Sequence, residues 1–330
     1  MTGRYSRQEL FHPIGPDGQE KLSRARVLVI GAGALGAASA EMLVRAGVGS
    51  LTIADRDYVE WSNLQRQQLY TEQDVMDHMP KAAAAEKRLR LINSSVQVTG
   101  IVADVTAEKA LELAAEASLI VDATDNFETR LIMNDAAVKL GIPFLYGACV
   151  ASYGITYTVI PGKTPCLHCL LGHLPANTMT CDTAGVIGPV VQQVAAYQVT
   201  DALKLLTGHE PSGMLRSFDI WTNERSEVRA DALKHGSCPT CGKGEFPFLS
   251  AENETKAAVL CGRQTVQIRP AAEQPPELEP LAARLKKAGL DVTGNPYLIS
   301  CRTEDIKFVI FRDGRALIHG TNDILSLIHI

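Results

Sequence analysis

A glycine-rich turn between an apolar strand and a helix restricts the fold of this chain more than any other feature. Arg26–Ile30 is a short apolar run, typical of a buried parallel strand, and the turn at 31–36 reads G-A-G-A-L-G. Ala34–Ala46 has helix-forming composition, and Gly47 is placed to end the helix. A second strand at Ser50–Asp55 completes a strand–turn–helix–strand unit, which predicts a Rossmann-like α/β fold.

The rest of the chain divides into a large domain and a small one. Strands alternating with helices predict a doubly wound, mainly parallel sheet, and the pattern beyond it predicts an antiparallel extension with a long helix at 185–206. We expect a nucleotide-binding domain at 1–244, a polar linker at 245–256, and a small α+β domain of unknown role at 257–330. In the small domain, the sequence predicts a strand from residue 257, a helix at 277–288 and strands at 297–301, 307–311 and 316–319.

Charge and hydropathy exclude some classes of partner. The net charge of the 330 residues is −5, and no basic block or arm is present, so we expect no nucleic acid partner. No apolar run reaches the roughly 18 residues that a membrane span requires. The first ten residues lack the apolar core of a signal peptide, and we expect a cytoplasmic protein.

The glycine turn and the end of the second strand predict a nucleotide site. Gly31, Gly33 and Gly36 would let backbone N–H groups approach a phosphate at a helix N-terminus, where the helix dipole favours anions. Asp55 follows the turn by about 20 residues, the usual position of a carboxylate that accepts a hydrogen bond from a ribose hydroxyl.

A polar segment after Asp55 favours ATP over NAD. Asn63, Arg66 and Gln67 would offer amide and guanidinium donors to something anionic, and Arg66 suits a bidentate phosphate contact. Lys81 follows Pro80 at the start of a helix and would project its ammonium toward the same edge of the sheet.

A further carboxylate is expected at the end of a later parallel strand. Asp125 follows the strand at 118–123, and the carboxyl ends of parallel strands are where ligands bind in open α/β sheets. Opposite a triphosphate, it would hold Mg²⁺, with Asp122 the second candidate and Asn126 an additional nucleotide-site residue. The alternative role of Asp125 is to cap the helix that begins at Phe127.

Paired cysteines predict a structural metal site. Cys166 and Cys169 form one C-x-x-C pair, Cys238 and Cys241 form another, and together they match a tetrahedral Cys₄ zinc site. The alternative is two unrelated redox or free-thiol pairs. Cys181 lies in a polar loop before the long helix, where a thiol can be reactive, although the adjacent Asp182 opposes a lowered pKa.

These residues, taken in order, resemble the bacterial MoeB/ThiF-type activating enzymes, relatives of the ubiquitin-activating enzymes. The resemblance extends from Arg4 to Cys241 and rests on R-Y-x-R-Q, G-x-G-x-x-G, D followed by S-N-L-Q-R-Q, P-K-A and T-D-N, with the paired C-x-x-C motifs added. His78-Met79 depart from it, because relatives often carry a glycine just before the Pro-Lys pair.

The resemblance implies ATP-dependent adenylation of the C-terminal glycine of a ubiquitin-like sulfur carrier, such as ThiS or MoaD, for thiamin thiazole or molybdopterin synthesis. By similarity, Asp55 binds ribose, Asn63, Arg66 and Lys81 neutralise phosphates, and Asp125 holds Mg²⁺. Arg7 resembles an arginine that reaches a phosphate from the partner subunit, which implies a homodimer. Cys181 occupies the position of the family's loop cysteine, and the sulfur donor would be a separate protein.

Alternative functions stay open at this point. An NAD(P)-dependent oxidoreductase would use the glycine turn and Asp55, and a non-catalytic scaffold would keep the fold and zinc while binding a carrier. Sulfur transfer through Cys181 is a further possibility. The small domain at 257–330 is either a surface for carrier docking or a fixed cover over apolar surface.

Overall fold

An eight-stranded sheet forms the centre of the large domain in the computed structural model, which describes residues 3–170, 181–250, 257–259, 264–269, 276–303, 306–321 and 323. Its strands follow the order β3-β2-β1-β4-β5-β6-β7-β8. They are β1 (Arg26–Ile30), β2 (Ser50–Asp55), β3 (Gln97–Val102), β4 (Leu119–Asp122), β5 (Phe144–Val150), β6 (Tyr153–Val159), β7 (Met214–Asp219) and β8 (Glu224–Arg229).

The pairing within this sheet confirms the predicted fold class. Strands β1 to β5 pair in parallel, whereas β5 to β8 pair as successive antiparallel neighbours. The order reverses between β1 and β4, and that switch point is where open α/β sheets bind ligands.

Helices cover both faces of the large sheet. Val27 and Val29 point into a core with α3 and α10, while Leu28 and Ile30 point into a second core with α6 and α7, as the two-residue period of a strand requires. The helices are α1 (Ser6–Glu9), α2 (Gly15–Arg24), α3 (Ala34–Ala46), α4 (Glu72–Met76), α5 (Lys81–Ile92), α6 (Ala107–Ala114), α7 (Phe127–Leu140), α8 (Leu167–Leu170), α9 (Cys181–Ala184), α10 (Gly188–Thr207) and α11 (Leu278–Lys287).

Local signals account for the helix ends. Helix α3 matches its predicted bounds, and α7 begins at the predicted Phe127. Both helices end where a glycine, Gly47 (φ +81°) or Gly141 (φ +72°), adopts the left-handed conformation. The long helix was predicted from residue 185, but α10 begins at Gly188 with a proline in its first turn, and Ile187 before it is extended.

The C-terminal residues form a second, antiparallel sheet in the part of the chain that the structure describes. Its order is β11-β12-β13-β14-β10-β9, and α11 packs on β11 and β12. The strands are β9 (Ala257–Val259), β10 (Thr265–Ile268), β11 (Asp291–Gly294), β12 (Leu298–Arg302), β13 (Lys307–Phe311) and β14 (Ala316–His319). The sequence did not predict β10 or β11. The D-V-T-G of β11 begins and ends with residues that strands disfavour, and pairing with β12 overrides that preference.

The predicted linker is partly attached to the large domain. It is described to residue 250, and a short 3₁₀ turn at Pro247–Leu249 packs on α7, where the Phe248 N–H donates to Asp135 at 2.9 Å. Among the described residues, no helix is both long and apolar enough to cross a membrane.

Candidate nucleotide and metal sites

The three glycines of the turn differ in what surrounds them. A Cβ atom on Gly31 (φ +95°) would lie 2.4 Å from the Ala123 carbonyl oxygen, and one on Gly36 would lie 1.8 Å from the Gly31 carbonyl oxygen. These two glycines therefore permit close backbone packing. A Cβ atom on Gly33 would meet nothing nearer than Gln67 Nε2 at 3.9 Å. Space thus remains open beside Gly33, the residue that precedes the first turn of α3, where an anion is favoured.

Asp55 is fixed beside the turn by two backbone donors. The Ala32 N–H donates to Oδ2 at 2.6 Å, and the Asp57 N–H donates to Oδ1 at 2.7 Å. Burial raises the pKa of the Asp55 carboxyl, while the nearby Lys81 ammonium acts in the opposite direction. The carboxylate lies at the carboxyl end of β2, where a ribose hydroxyl could donate to it.

The S-N-L-Q-R-Q segment folds over the glycine turn. Asn63 ends a 3₁₀ turn and is fully buried; its Oδ1 accepts from the Glu60 N–H at 3.0 Å, while its Nδ2 has no hydrogen-bond partner among the described residues. Gln67 is also buried and faces Gly33. Arg66 is half-buried, and its Nη1 donates to the Ser62 carbonyl at 2.8 Å. Buried donors seldom lack an acceptor, so the Asn63 amide fits a phosphate oxygen.

Lys81 lies inside the site rather than in solvent. It is 4% exposed, and its Nζ is 3.1 Å from Asp57 Oδ2. The segments after β2 and before α5 run side by side, joined by a bridge between Tyr58 and Pro80. Asp57 was not among the predicted site residues, although its D-x-D spacing with Asp55 was the signal for a second carboxylate.

The aspartates at the end of β4 and in the loop after it, Asp122 and Asp125, have different surroundings. Asp122 is buried, and its Oδ2 accepts from Arg130 Nε at 2.7 Å. Asn126 caps α7 by accepting from the Thr129 N–H at 2.9 Å. Asp125 is exposed and accepts from Asn126 Nδ2 at 3.3 Å. The cap that was an alternative role for Asp125 is provided by Asn126, and Asp122 is committed to Arg130, so Asp125 is the carboxylate that a cation could reach.

Arg7 lies far from the glycine turn of its own chain. It is exposed on α1, and the neighbouring Gln8 donates to the carbonyl of Ala46, at the carboxyl end of α3. Helix α3 begins at the glycine turn and is about 20 Å long, given 1.5 Å per residue. Arg7 therefore stands at the opposite end of α3 from the candidate phosphate site.

The four predicted cysteine ligands come together. All four sulfur atoms lie within 4.8 Å of one another. The Sγ atoms of Cys166 and Cys238 are 3.7 Å apart, and those of Cys169 and Cys241 are 3.5 Å apart. A tetrahedron with 2.3 Å zinc–sulfur bonds has edges of about 3.8 Å, so the cluster has the dimensions of a Cys₄ site. Burial raises the pKa of Cys166 and raises that of Cys169 to about 12. Burial acts in the same direction on Cys238, but hydrogen bonds from the Cys241 N–H and the neighbouring thiols lower its pKa.

Helix α7 orients both cysteine segments, a contact that sequence analysis did not find. Asn134 Oδ1 accepts from the Leu167 N–H at 2.8 Å, and Asp135 Oδ1 accepts from Thr240 Oγ1 at 2.7 Å. Each acceptor thus holds the middle of one C-x-x-C pair. No spacing in the sequence relates α7 to the cysteines.

Cys181 is the first residue of α9. Its side chain and residues 171–180 lie outside what the structure describes.

The family model described as the ThiF family matches residues 5–240. This chain belongs to the ThiF family. The resemblance inferred from the motifs is therefore confirmed, and the matched region covers the glycine turn, the S-N-L-Q-R-Q segment and the first three cysteines of the cluster.

Curated relatives and solved structures extend this result. The sulfur carrier protein ThiS adenylyltransferase of Bacillus subtilis is 73% identical over 324 residues, which cover 98% of this chain and 96% of the relative. The protein of the same name from Escherichia coli is 40% identical over 242 residues (72% and 94%), and the molybdopterin-synthase adenylyltransferase of E. coli is 34% identical over 243 residues (73% and 96%). The structure of E. coli MccB with ATP matches with a TM-score of 0.64 at 23% identity, covering 73% of this chain and 74% of that one, which supports the fold alone.

Proposed function

We propose that this chain is an adenylyltransferase that uses ATP to activate the C-terminal carboxylate of a ubiquitin-like sulfur carrier, with release of pyrophosphate. The observation that carries the proposal is the open space at Gly33 before the first turn of α3, which suits a phosphate group. The unpartnered amide of the buried Asn63, four residues before the Gln67 that faces Gly33, adds a donor in the same segment. The names of the relatives support a sulfur carrier as substrate, and the 73% identical relative favours a ThiS-like carrier of thiamin thiazole synthesis over a MoaD-like carrier of molybdopterin synthesis.

The nucleotide would lie across the carboxyl ends of β1, β2 and β4. Its phosphates would approach the N-terminus of α3 at Gly33 and accept from Asn63, Arg66 and Lys81, and a ribose hydroxyl would donate to Asp55. Bound Mg²⁺ would neutralise phosphate charge, with Asp125 as its protein ligand.

The reaction needs positioning rather than proton transfer. A carboxylate oxygen of the carrier attacks the α-phosphorus of ATP, the bond between that phosphorus and the bridging oxygen breaks, and pyrophosphate leaves. The nucleophile is already ionised at neutral pH, so no general base is required. The chain contributes orientation of the phosphates and cationic groups that stabilise the developing charge.

An NAD(P)-dependent oxidoreductase accounts for less of the site. It would use the glycine turn and Asp55, as any dinucleotide-binding unit does. It has no use for the buried Asn63 donor, the Lys81 ammonium or the exposed Asp125 carboxylate, which suit a triphosphate with a divalent cation.

We propose further that the chain acts as a homodimer and binds structural zinc. The distance of Arg7 from the turn in its own chain supports a role in the site of a second copy. The size of the cysteine cluster and the burial of its thiols support Zn²⁺ as a clip between the segments at 166–169 and 238–241, closed to substrate.

The test is ATP–pyrophosphate exchange with Mg²⁺ and, in separate reactions, a ThiS-like and a MoaD-like carrier. We expect exchange with the ThiS-like carrier, reduced at least about 100-fold by Asp125→Asn, because loss of a ligand charge weakens metal-assisted chemistry. The matched control is Asp17→Asn, an exposed aspartate on α2. Exchange with neither carrier would overturn the proposal.

A further inference from the structure

The C-terminal sheet contacts the two loops that carry nucleotide-site residues. The β2 loop, residues 55–60, contains Asp55 and Asp57, and the α5 loop, residues 77–81, ends at Lys81. We propose that this sheet is a positioning element of the ATP site, which holds the β2 loop through Asp104 and the α5 loop through Asn295. The identity of the ligand rests on the proposed function, whereas the contacts do not.

Asp104 joins the sheet to the β2 loop. It follows β3 and is 8% exposed. Gln267 Nε2 and Arg269 Nε of the sheet each donate to Asp104 Oδ2 at 2.6 Å, while Arg56 Nη1 lies 3.4 Å from Oδ1. Arg269 also reaches Glu128 in the first turn of α7, at 3.5 Å. One buried carboxylate is thus shared between the C-terminal sheet and the residue that follows Asp55.

Arg56 connects this contact to the site carboxylates. Burial acts to lower the pKa of its guanidinium, but Asp104, Asp57, Asp125 and Asp55 surround it and hold the pKa above its ordinary value. The positive charge of Arg56 therefore interacts with Asp55, the candidate ribose ligand, and with Asp125, the candidate Mg²⁺ ligand. At the other end of the residue, the backbone carbonyl of Arg56 accepts from the sheet's Arg315 Nη1 at 3.2 Å.

Tyr58 anchors the same loop in the core of the sheet. It is 5% exposed, and its ring packs among apolar side chains of the C-terminal sheet: Leu298, Val309, Phe311 and Leu317. Its hydroxyl lies 3.2 Å from both His319 Nε2 and Lys307 Nζ. The ring and hydroxyl contacts together restrict the position of the backbone next to Asp57.

The α5 loop is held by a separate contact. His78 has φ +49°, in the left-handed region that favours glycine. Asn295 Nδ2 donates to the carbonyls of Asp77 at 3.0 Å and His78 at 2.9 Å. The side chain of Asn295 thus supports the unusual conformation of His78, three residues before Lys81.

The experiment uses two variants of the whole chain with a matched control. Arg269→Ala removes the Asp104 contact, Asn295→Ala removes the α5-loop contact, and Arg284→Ala alters an exposed arginine on α11 of the same sheet domain. The measurements are the Kd for Mg²⁺-ATP by calorimetry without carrier, and the KM for ATP, KM for carrier and kcat in the exchange reaction.

We expect Arg269→Ala and Asn295→Ala each to raise the Kd and KM for ATP by roughly five- to twentyfold, within the range of coupling between distinct sites. The KM for carrier and kcat at saturating ATP should change by less than about twofold, as should every parameter of Arg284→Ala. Adding His78→Gly to Asn295→Ala should restore ATP affinity, because glycine needs no support at this φ. A role limited to global stability would instead lower the Tm of Asn295→Ala without raising the Kd of the folded protein for ATP.

Each contrary outcome has a distinct meaning. Unchanged ATP affinity in both variants would overturn the positioning role, and a raised KM for carrier alone would make the sheet a carrier-docking surface instead. If Arg269→Ala does not fold, the positioning role is tested by comparing Asn295→Ala with the double variant that also carries His78→Gly. If the variants bind ATP more weakly than the wild type but no carrier supports exchange, the adenylation proposal is overturned and the positioning role is retained. A wild-type chain that binds no ATP would overturn both.

Discussion

At the residue scale, the glycines of the turn differ in what a side chain would meet. Gly36→Ala places a methyl group against the Gly31 carbonyl oxygen, 1.8 Å away, and we expect it to lower the free energy of unfolding by about 1–3 kcal/mol or more. Gly33→Ala finds open space, so it should change that free energy by at most about 1 kcal/mol. The same methyl group would occupy the phosphate position and weaken ATP binding by roughly tenfold or more.

Urea unfolding and Mg²⁺-ATP calorimetry on both glycine variants check this prediction. Gly236→Ala is a suitable control, because a Cβ atom there meets no atom within 4 Å. A Gly33→Ala protein that binds ATP as tightly as the wild type would show that the phosphates do not approach this turn.

At the element scale, α7 connects the loop after β4, which carries Asp125, to the cysteine cluster. A buried ion pair holds the first half of α7 against the end of β4. Arg130 and Asp122 have side chains 6% and 1% exposed. Arg130→Met would leave the carboxylate of Asp122 buried without its partner, which we expect to lower the free energy of unfolding by about 3–5 kcal/mol. Arg26→Met, which breaks an exposed pair with Glu116, should cost no more than about 1 kcal/mol.

Urea unfolding of the two arginine variants at neutral pH measures this difference. Equal losses of stability would mean that other contacts of α7, such as the Asn126 cap, dominate its docking. The stacking of Arg130 on Tyr146, with 5.0 Å from the guanidinium carbon to the ring centroid, is lost in the same variant and adds to the expected effect.

At the scale of the whole molecule, the cysteine cluster joins segments about 70 residues apart, so a bound metal should stabilise the chain as a unit. We expect one zinc ion per chain by elemental analysis. Cys238→Ser should lose the zinc and lower Tm by at least about 5 °C. Cys149→Ser, a half-buried cysteine outside the cluster, should keep it. Full zinc content in Cys238→Ser would contradict a four-cysteine site.

The attachment of the C-terminal sheet should depend on pH through Asp104. Burial acts to raise the pKa of this carboxyl, but the guanidinium groups of Arg56, Arg269 and Arg315 lower it below the ordinary value of 3.8. Its stabilising contribution is therefore complete above about pH 5 and is lost as the pH falls through 3.8 toward the folded-state pKa. In urea unfolding, the stability difference between wild type and Asp104→Asn should shrink from pH 6 to about pH 3; a constant difference would argue against the ion pairs.

Local patterns in the sequence determined the strand–turn–helix unit, the alternation of strands and helices, and the paired cysteines. Each depends on residues within a few positions of one another, where periodicity, glycine conformation and ligand spacing act directly. The bounds of β1, β2 and α3 and the first residue of α7 were predictable for this reason.

Only the tertiary structure decided which polar groups meet. Lys81 pairs with Asp57 across two loops, and Gln267 reaches Asp104 across 163 positions of sequence. Such pairs leave no periodic signal, because their geometry is set by how the sheets pack. The sequence by itself determined that this chain has a nucleotide fold with four cysteines at ligand spacing. The packing of the C-terminal sheet against the β2 and α5 loops was decided only by the tertiary structure, because its buried charges and the Tyr58 ring meet partners that are distant in sequence.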